Sequence, residues 1–325
     1  MLRGSARTFK GRPMPKHHVF KSILAQAEET PPVPTAVVYP LSDVALEGAV
    51  DAARARVIQP ILIGPSAEIA ALAKAKKLDI AGFETVEAAT QEEAADIGVA
   101  LCLAGKAEIL MKGSLHTDTL MHAVMRDGTG LRGARRISHA FIFDVPSYPH
   151  MLMITDAAVN ITPDLKEKAD IVQNAIDLAH VLKIEKPKVA ILSAVETVTP
   201  RIQSTIDAAA LCKMAERGQI TGGLLDGPLA FDNAVNLRAA KIKKINSPVA
   251  GRADILVVPD LESGNMLAKQ LEYLAGAEAA GIVLGARVPI VLTSRADGPK
   301  ARLASAALAA MMAQAKAADR IGLKR

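Results

Sequence analysis

The sequence predicts an α/β protein built on a parallel sheet with both faces covered. Three observations lead there. Short apolar runs of strand length alternate with longer, Ala-rich segments of helical length. The runs are apolar nearly throughout, as strands buried on both sides are. Several of them end in small and polar clusters, where a chain turns from strand to helix.

The expected strands are TAVVYP (35–40), QPILIGP (59–65), EILMKG (108–113), SHAFIFDV (138–145), HMLMITDAAV (150–159), KVAILSAV (188–195), ADILVVPD (253–260) and AGIVLGARVPIVLTS (280–294), the last broken near Gly285. Between them DVALEGAVDAARA, EEAADIGVALCLAG, DLKEKADIVQNAIDLAHVL and TPRIQSTIDAAALCKMAERG read as helices. Thr162-Pro163-Asp164 and Thr199-Pro200 read as helix starts, each a capping residue followed by proline in the first turn. The basic opening lacks the apolar stretch of a signal peptide. With PPVP at 31–34 behind it, residues 1–30 read as a flexible N-terminal tail. A chain of 325 residues suits two α/β domains. The expected division is 31–147 plus 288–325 for the first and 148–287 for the second.

Composition narrows the function classes. The formal net charge of +5 favours anionic small molecules. Aromatic residues are 3% with no Trp, too few to build base-stacking platforms, so no nucleic-acid partner is expected. No apolar run reaches membrane-spanning length, so no membrane partner is expected either. Cys102 and Cys212 sit in apolar helical contexts and suggest neither a disulfide framework nor a metal site, which fits a cytoplasmic protein.

The polar clusters at the strand ends carry the chemistry. Lys112-Gly113-Ser114-Leu115-His116-Thr117 offers a charge, a glycine and hydroxyls where a phosphate could approach the backbone, without being a Walker loop. Arg135-Arg136 precedes the 138–145 run. Asp156 and Asn160 follow another strand, where loop ordering is the alternative reading. Asp260-Leu261-Glu262-Ser263-Gly264-Asn265 opens a helix carrying Lys269, where capping is the alternative. VPIVLTSRADGPK (288–300) ends a buried strand in Ser294, Arg295 and Asp297. An arginine at a strand tip beside a hydroxyl is a good fork for an oxyanion. Any one cluster is an ordinary polar loop; together they point to an anionic ligand.

At these residues the sequence resembles a known family. SPVAGRADILVVPDLESGNMLAK (247–269), DGPLAFDNAV (226–235), TDAAVNITP (155–163), KGSLHT (112–117) and TSRADG (293–298) resemble, in the same order, the motifs of the phosphate acetyl/butyryltransferase family. The resemblance implies a two-domain fold related to the isocitrate and isopropylmalate dehydrogenases, with the active cleft between the domains, and a homodimer. It implies the reaction of acyl-CoA with phosphate to give acyl phosphate and CoA, acetyl first among the acyl groups, with coenzyme A as substrate and no bound cofactor or metal.

On this reading Ser294, Arg295 and Asp297 are the catalytic residues. Lys112, Ser114, His116, Thr117, Arg136, Asn160, Asn265 and Lys269 are expected around the phosphate or CoA. Acetyl-specific members carry an aspartate base somewhat further past the Ser-Arg pair; here Gly298-Pro299-Lys300-Ala301-Arg302 has no carboxylate. Asp297 is the nearer candidate, with loop ordering as its alternative role, and TSRAD resembles the butyryl branch. A butyryl-specific enzyme and a non-catalytic acyl-CoA-sensing or assembly module remain open. A dehydrogenase of the same fold would need metal-binding carboxylates, and the sequence has no convincing cluster of them.

Overall fold

The computed structural model describes residues 19–292 and 297–318. Helix α1 (Val19–Glu28) leads into β1 (Val33–Val38), α2 (Asp43–Arg54), β2 (Ile58–Gly64), α3 (Ser66–Lys76), β3 (Glu84–Glu87), α4 (Gln91–Leu103), β4 (Ile109–Lys112) and α5 (Thr117–Met125). Next come β5 (Ser138–Asp144), β6 (Leu152–Thr155), α6 (Leu165–Val181), β7 (Lys188–Leu192), α7 (Gln203–Glu216) and β8 (Leu224–Leu229). Two short helices, α8 (Phe231–Val235) and α9 (Leu237–Ile242), precede β9 (Ile255–Val257) and α10 (Leu261–Leu274). The chain ends in β10 (Glu278–Leu284), β11 (Ile290–Val291) and α11 (Pro299–Ala317).

The strands form one sheet in the order β3-β2-β1-β4-β11-β10-β5-β6-β9-β7-β8. It is mixed and mainly parallel, as an α/β fold built on a parallel sheet allows. β10 runs antiparallel to both β11 and β5, and β5 antiparallel to β6. These reversals have a consequence. The parallel group β3, β2, β1, β4 and β11 points one way and the group β6, β9, β7 and β8 the other. Their carboxyl ends therefore lie at opposite edges of the sheet.

The core is distributed unequally over the two faces. On one face a single apolar cluster runs the length of the sheet beneath α1, α2, α3, α6, α7 and α11. On the other face it is split in two. One cluster lies under α4 and α5, the other under α8, α9 and α10. The boundary between them runs along a strip of sheet between β10, whose Val283 belongs to the first cluster, and β5, whose Phe143 belongs to the second.

Local differences from the sequence reading have physical causes. Residues 19–28 are not tail. Phe20, Ile23 and Ala27 recur at helical spacing and are buried in the core against α11. Two strands escape the apolar-run reading, β3 and β8. Both are edge strands; β3 is mostly exposed, and β8 contains Gly227-Pro228, which an edge tolerates. At α6 the cap is Asp164, not Thr162. Its carboxylate accepts from Glu167 N at 2.8 Å and Glu167 Oε2 accepts from Asp164 N at 3.0 Å, so Pro163 stays outside the helix. Likewise α7 begins at Gln203, past Pro200, and Thr199 lies in a turn held by Thr205. The 150–159 run is strand only to Thr155, because Asp156 draws the next N–H groups into a loop.

Candidate active site

The side chains along this strip can be read from register and alternation. Leu110 of β4 and Ile290 of β11 belong to the cluster under α4 and α5, and Val283 of β10 joins them. Side chains two residues along each strand share that face. Val283 pairs with Ile290, Ile290 with Leu110, and Gly281 with Phe141. Counting two residues on from the first pairs aligns Lys112, Leu292, Gly281 and Phe141 in one row across four neighbouring strands. At about 4.8 Å per strand the row spans roughly 14 Å. It has a cation at one end and an aromatic ring at the other.

Lys112 is buried at 8% exposure as the last residue of β4. Ser114, two residues on, has a committed hydroxyl. It donates to Tyr39 O at 2.8 Å and accepts from Leu41 N at 3.1 Å, locking the loop after β4 to the loop after β1. Gly113 is required there, since a Cβ would lie 2.3 Å from Val38 O. His116 and Thr117 are exposed at the start of α5, and His116 N donates to Gln91 Oε1.

Asp297 lies on the approach to α11 and is partly buried. Its charge reaches both Lys269 of α10 and Arg302 of α11. For Lys269, burial disfavours the charge, but pairing with Glu272 at 2.8 Å outweighs it, and the amine stays above its ordinary value. The Lys269 amine also sits 5.7 Å from the Tyr273 ring centre. Ser294 and Arg295 lie outside the described residues.

Asn160 and Arg136 are placed elsewhere, at the edge where β6 ends and β5 begins. Asn160 is buried and its amide is spent. Nδ2 donates to Ile137 O at 2.8 Å and to Asp156 Oδ2, and Oδ1 accepts from Arg136 Nε at 2.6 Å. Arg136 also pairs with Glu167 at 3.0 Å, and its backbone N–H donates to Asp170. Asn265 is exposed near the start of α10, on the side of that same edge. The sequence clusters are thus divided between the two edges, because the two parallel groups of strands run oppositely.

Sequence reasoning missed Phe141 and Gly281. Both belong to apolar runs in which nothing distinguishes a side chain facing the strip from one facing the core. His139 lies beside them. Its ring meets Phe141 edge-on with centres 4.3 Å apart, and Nδ1 is buried without a partner. Burial pushes this imidazole down to about 4, partly offset by Asp156, so it is uncharged near neutrality. Burial pushes Cys102 and Cys212 up to about 12, which leaves neither thiol nucleophilic. Among the described residues no group of three His, Cys, Asp or Glu is placed to hold a metal ion. No described helix is long and apolar enough to cross a membrane.

Comparisons with known proteins agree with this architecture. The family description phosphate acetyl/butaryl transferase matches residues 89–310. A phosphate acetyltransferase of Rhizobium meliloti is 58% identical over 302 residues, covering 93% of this chain and 96% of the relative. A phosphate butyryltransferase of Clostridium acetobutylicum is 40% identical over 294 residues, covering 90% and 98%. Among solved structures, a branched-chain phosphotransacylase from Enterococcus faecalis superimposes with a TM-score of 0.75 at 28% identity, over 86% of this chain and 99% of that one. A 4-hydroxythreonine-4-phosphate dehydrogenase from Burkholderia phymatum, at TM-score 0.54 and 12% identity over 87% of this chain and 98% of that one, shares the fold alone. The chain belongs to the phosphate acetyl/butyryl transferase family and is an acyltransferase enzyme.

Proposed function

We propose that the enzyme interconverts acetyl-CoA plus phosphate with acetyl phosphate plus CoA by direct transfer. The observation that carries this is the 58% identity to a phosphate acetyltransferase along nearly the whole of both chains. In the direction of acetyl-CoA synthesis, the CoA sulfur attacks the carbonyl carbon of acetyl phosphate. A tetrahedral oxyanion forms, the C–O bond to phosphate breaks, and phosphate leaves with its electron pair. The thiol proton passes to a base, since a thiol of ordinary pKa about 8.5 is mostly protonated at neutral pH.

Arg295 grips the phosphate dianion with two parallel N–H donors, and Ser294 donates its hydroxyl to the developing oxyanion. A fixed donor aimed at that oxygen contributes about 3–4 kcal/mol. Asp297 is the assigned base, the carboxylate nearest the pair in the chain. Lys112, buried at the end of the strip, supplies charge for the phosphate. His116, Thr117, Asn265 and Lys269 have exposed or partly exposed side chains and serve CoA. Ser114, Asn160 and Arg136 act through the loops that they hold.

CoA is a substrate and not a resident cofactor in this scheme. Residues 31–147 with 288–325 and residues 148–287 are read as two domains of the chain. The enzyme is read as a cytoplasmic homodimer, and the exposed Met266, Tyr273 and Leu274 of α10 support self-association.

Phosphate-dependent CoA release from acetyl-, propionyl- and butyryl-CoA tests the proposal. Acetyl-CoA is expected to be turned over best, and chelator should change nothing. A preference for butyryl-CoA would move the chain to the butyryl branch. No release from any of the three would make it a non-catalytic binder.

A further inference from the structure

Arg302 is a buried charge that the acyl-transfer scheme does not use. It is only 6% exposed and lies one turn into α11, where its backbone N–H donates to Gly298 O at 3.2 Å. A cation there opposes the helix dipole, whose N-terminal end is itself positive. Burial opposes it again, since charged side chains are seldom buried unless paired. Burial holds the guanidinium below its ordinary value, and the carboxylates of Asp297 and then Glu47 of α2 offset part of that. The path of the side chain is built into the fold. Its stem crosses α2 at Gly48, where a Cβ would lie 3.2 Å from Arg302 Cδ and 3.9 Å from Arg302 Cβ. Lys300, also near the start of α11, is spent elsewhere. It is exposed and donates to Glu278 of β10 at 2.6 Å, with its amine 6.0 Å from the Phe20 ring centre.

Asp297 stands on the other side of the cap, immediately before Gly298. Two cations face it, from helices on opposite faces of the sheet. Lys269 of α10 is already paired with Glu272 at 2.8 Å and sits against Tyr273. Arg302 of α11 faces Asp297 and Glu47. We propose that Arg302 is a positioning residue for the reaction: from within α11 it holds the Asp297 carboxylate in place and in its charged form, ready to take the thiol proton. The inference rests on the acyl-transfer reading above, with Asp297 as base, and adds the group that sets that base. A neighbouring guanidinium favours the charged form of a carboxylate by roughly 1–3 pH units. Asp297 accepts a proton only while it is ionised, so activity falls as pH drops through its titration. Arg302 moves that fall to lower pH.

The test is the pH profile of kcat/KM for CoA, with acetyl phosphate as second substrate, in the parent, Arg302→Met, Arg302→Lys and Gly48→Ala. Titrations of the substrates are common to all four. A purely structural role lowers the profile at every pH and leaves its acid limb where it was. Arg302→Met is expected to raise the limb by about one pH unit or more, which is about tenfold in rate at a pH on the limb. Arg302→Lys keeps the charge and should leave the limb near that of the parent. Gly48→Ala pushes the stem of an intact Arg302 and should raise the limb by less; it decides the matter if Arg302→Met does not fold. An unmoved limb in folded Arg302→Met, or in Gly48→Ala where Arg302→Met does not fold, overturns the inference while the acyl-transfer reading stands. If the parent forms no acetyl-CoA from CoA and acetyl phosphate, both fall.

Discussion

Oδ2 of Asp156 accepts hydrogen bonds from both the backbone N–H and the side-chain amide of Asn160. Oδ1 accepts from Ala158 N at 3.0 Å, Val159 N at 3.1 Å and His139 N at 3.2 Å. One buried carboxylate thus ties the loop after β6 to the strand beside it. Asp156→Ala strands four backbone N–H groups. At about 1–3 kcal/mol for each buried unsatisfied group, less what relaxation and water recover, a loss of at least about 3 kcal/mol is expected. Urea denaturation should show a lower midpoint at unchanged slope. An unchanged midpoint would mean that the loop holds itself.

The His139 ring beneath Phe141 predicts a pH dependence. Folded, it takes up a proton only near 4; unfolded, near its ordinary value of 6.5. The unfolded chain therefore binds the proton first as pH falls. The stability tied to neutral His139 is complete above about pH 6.5 and is lost progressively down to about pH 4. A shift of that size corresponds to about 3 kcal/mol. The difference in unfolding free energy between the parent and His139→Phe, measured at pH 7 and at pH 4.5, isolates this residue from the carboxylates. It should shrink or reverse at the lower pH; a constant difference contradicts the assignment.

Helix α1 should be indispensable to stability. Phe20 and Ile23 are each only 3% exposed. Phe20→Ala is expected to cost about 3–5 kcal/mol and Ile23→Ala about 2–5 kcal/mol. A chain starting at Thr30 should unfold at markedly lower temperature than one starting at residue 18. Equal thermal midpoints would return residues 19–28 to the status of a tail.

Arg295 carries the catalytic proposal. Lysine places a point charge where a planar fork is needed, so Arg295→Lys should lower turnover strongly with the fold intact. Arg295→Ala should be worse still. A charge-assisted hydrogen bond is worth roughly 1.5–3 kcal/mol, or about one to two decades in rate. Steady-state kinetics against phosphate and CoA, with circular dichroism as the folding control, decide it. Wild-type kinetics in Arg295→Ala would remove the centre of the mechanism.

The sequence by itself determined the family and the elements buried in the middle of the sheet, though not the edge strands β3 and β8 or helix α1. The centres of strand-length runs, ILM of EILMKG and VAIL of KVAILSAV, are unbroken apolar stretches because they are buried on both faces, and that pattern survives without knowledge of neighbours. The ordered motifs around Lys112, Asp156, Asp260 and Ser294 resemble those of one family, and that resemblance implied the chemistry. Tertiary structure decided what those elements do to one another. Strand direction is a property of pairing, and the antiparallel β10 and β5 send the Asp156 and Asn160 loop to the edge opposite Lys112 and Ser114. The split of the core on one face depends on where α4, α5 and α10 dock. Alternation alone puts Phe141 and Ile142 on opposite faces; only the docking of the helices decides that Ile142 lies in the continuous cluster while Phe141 lies at the rim of a smaller one.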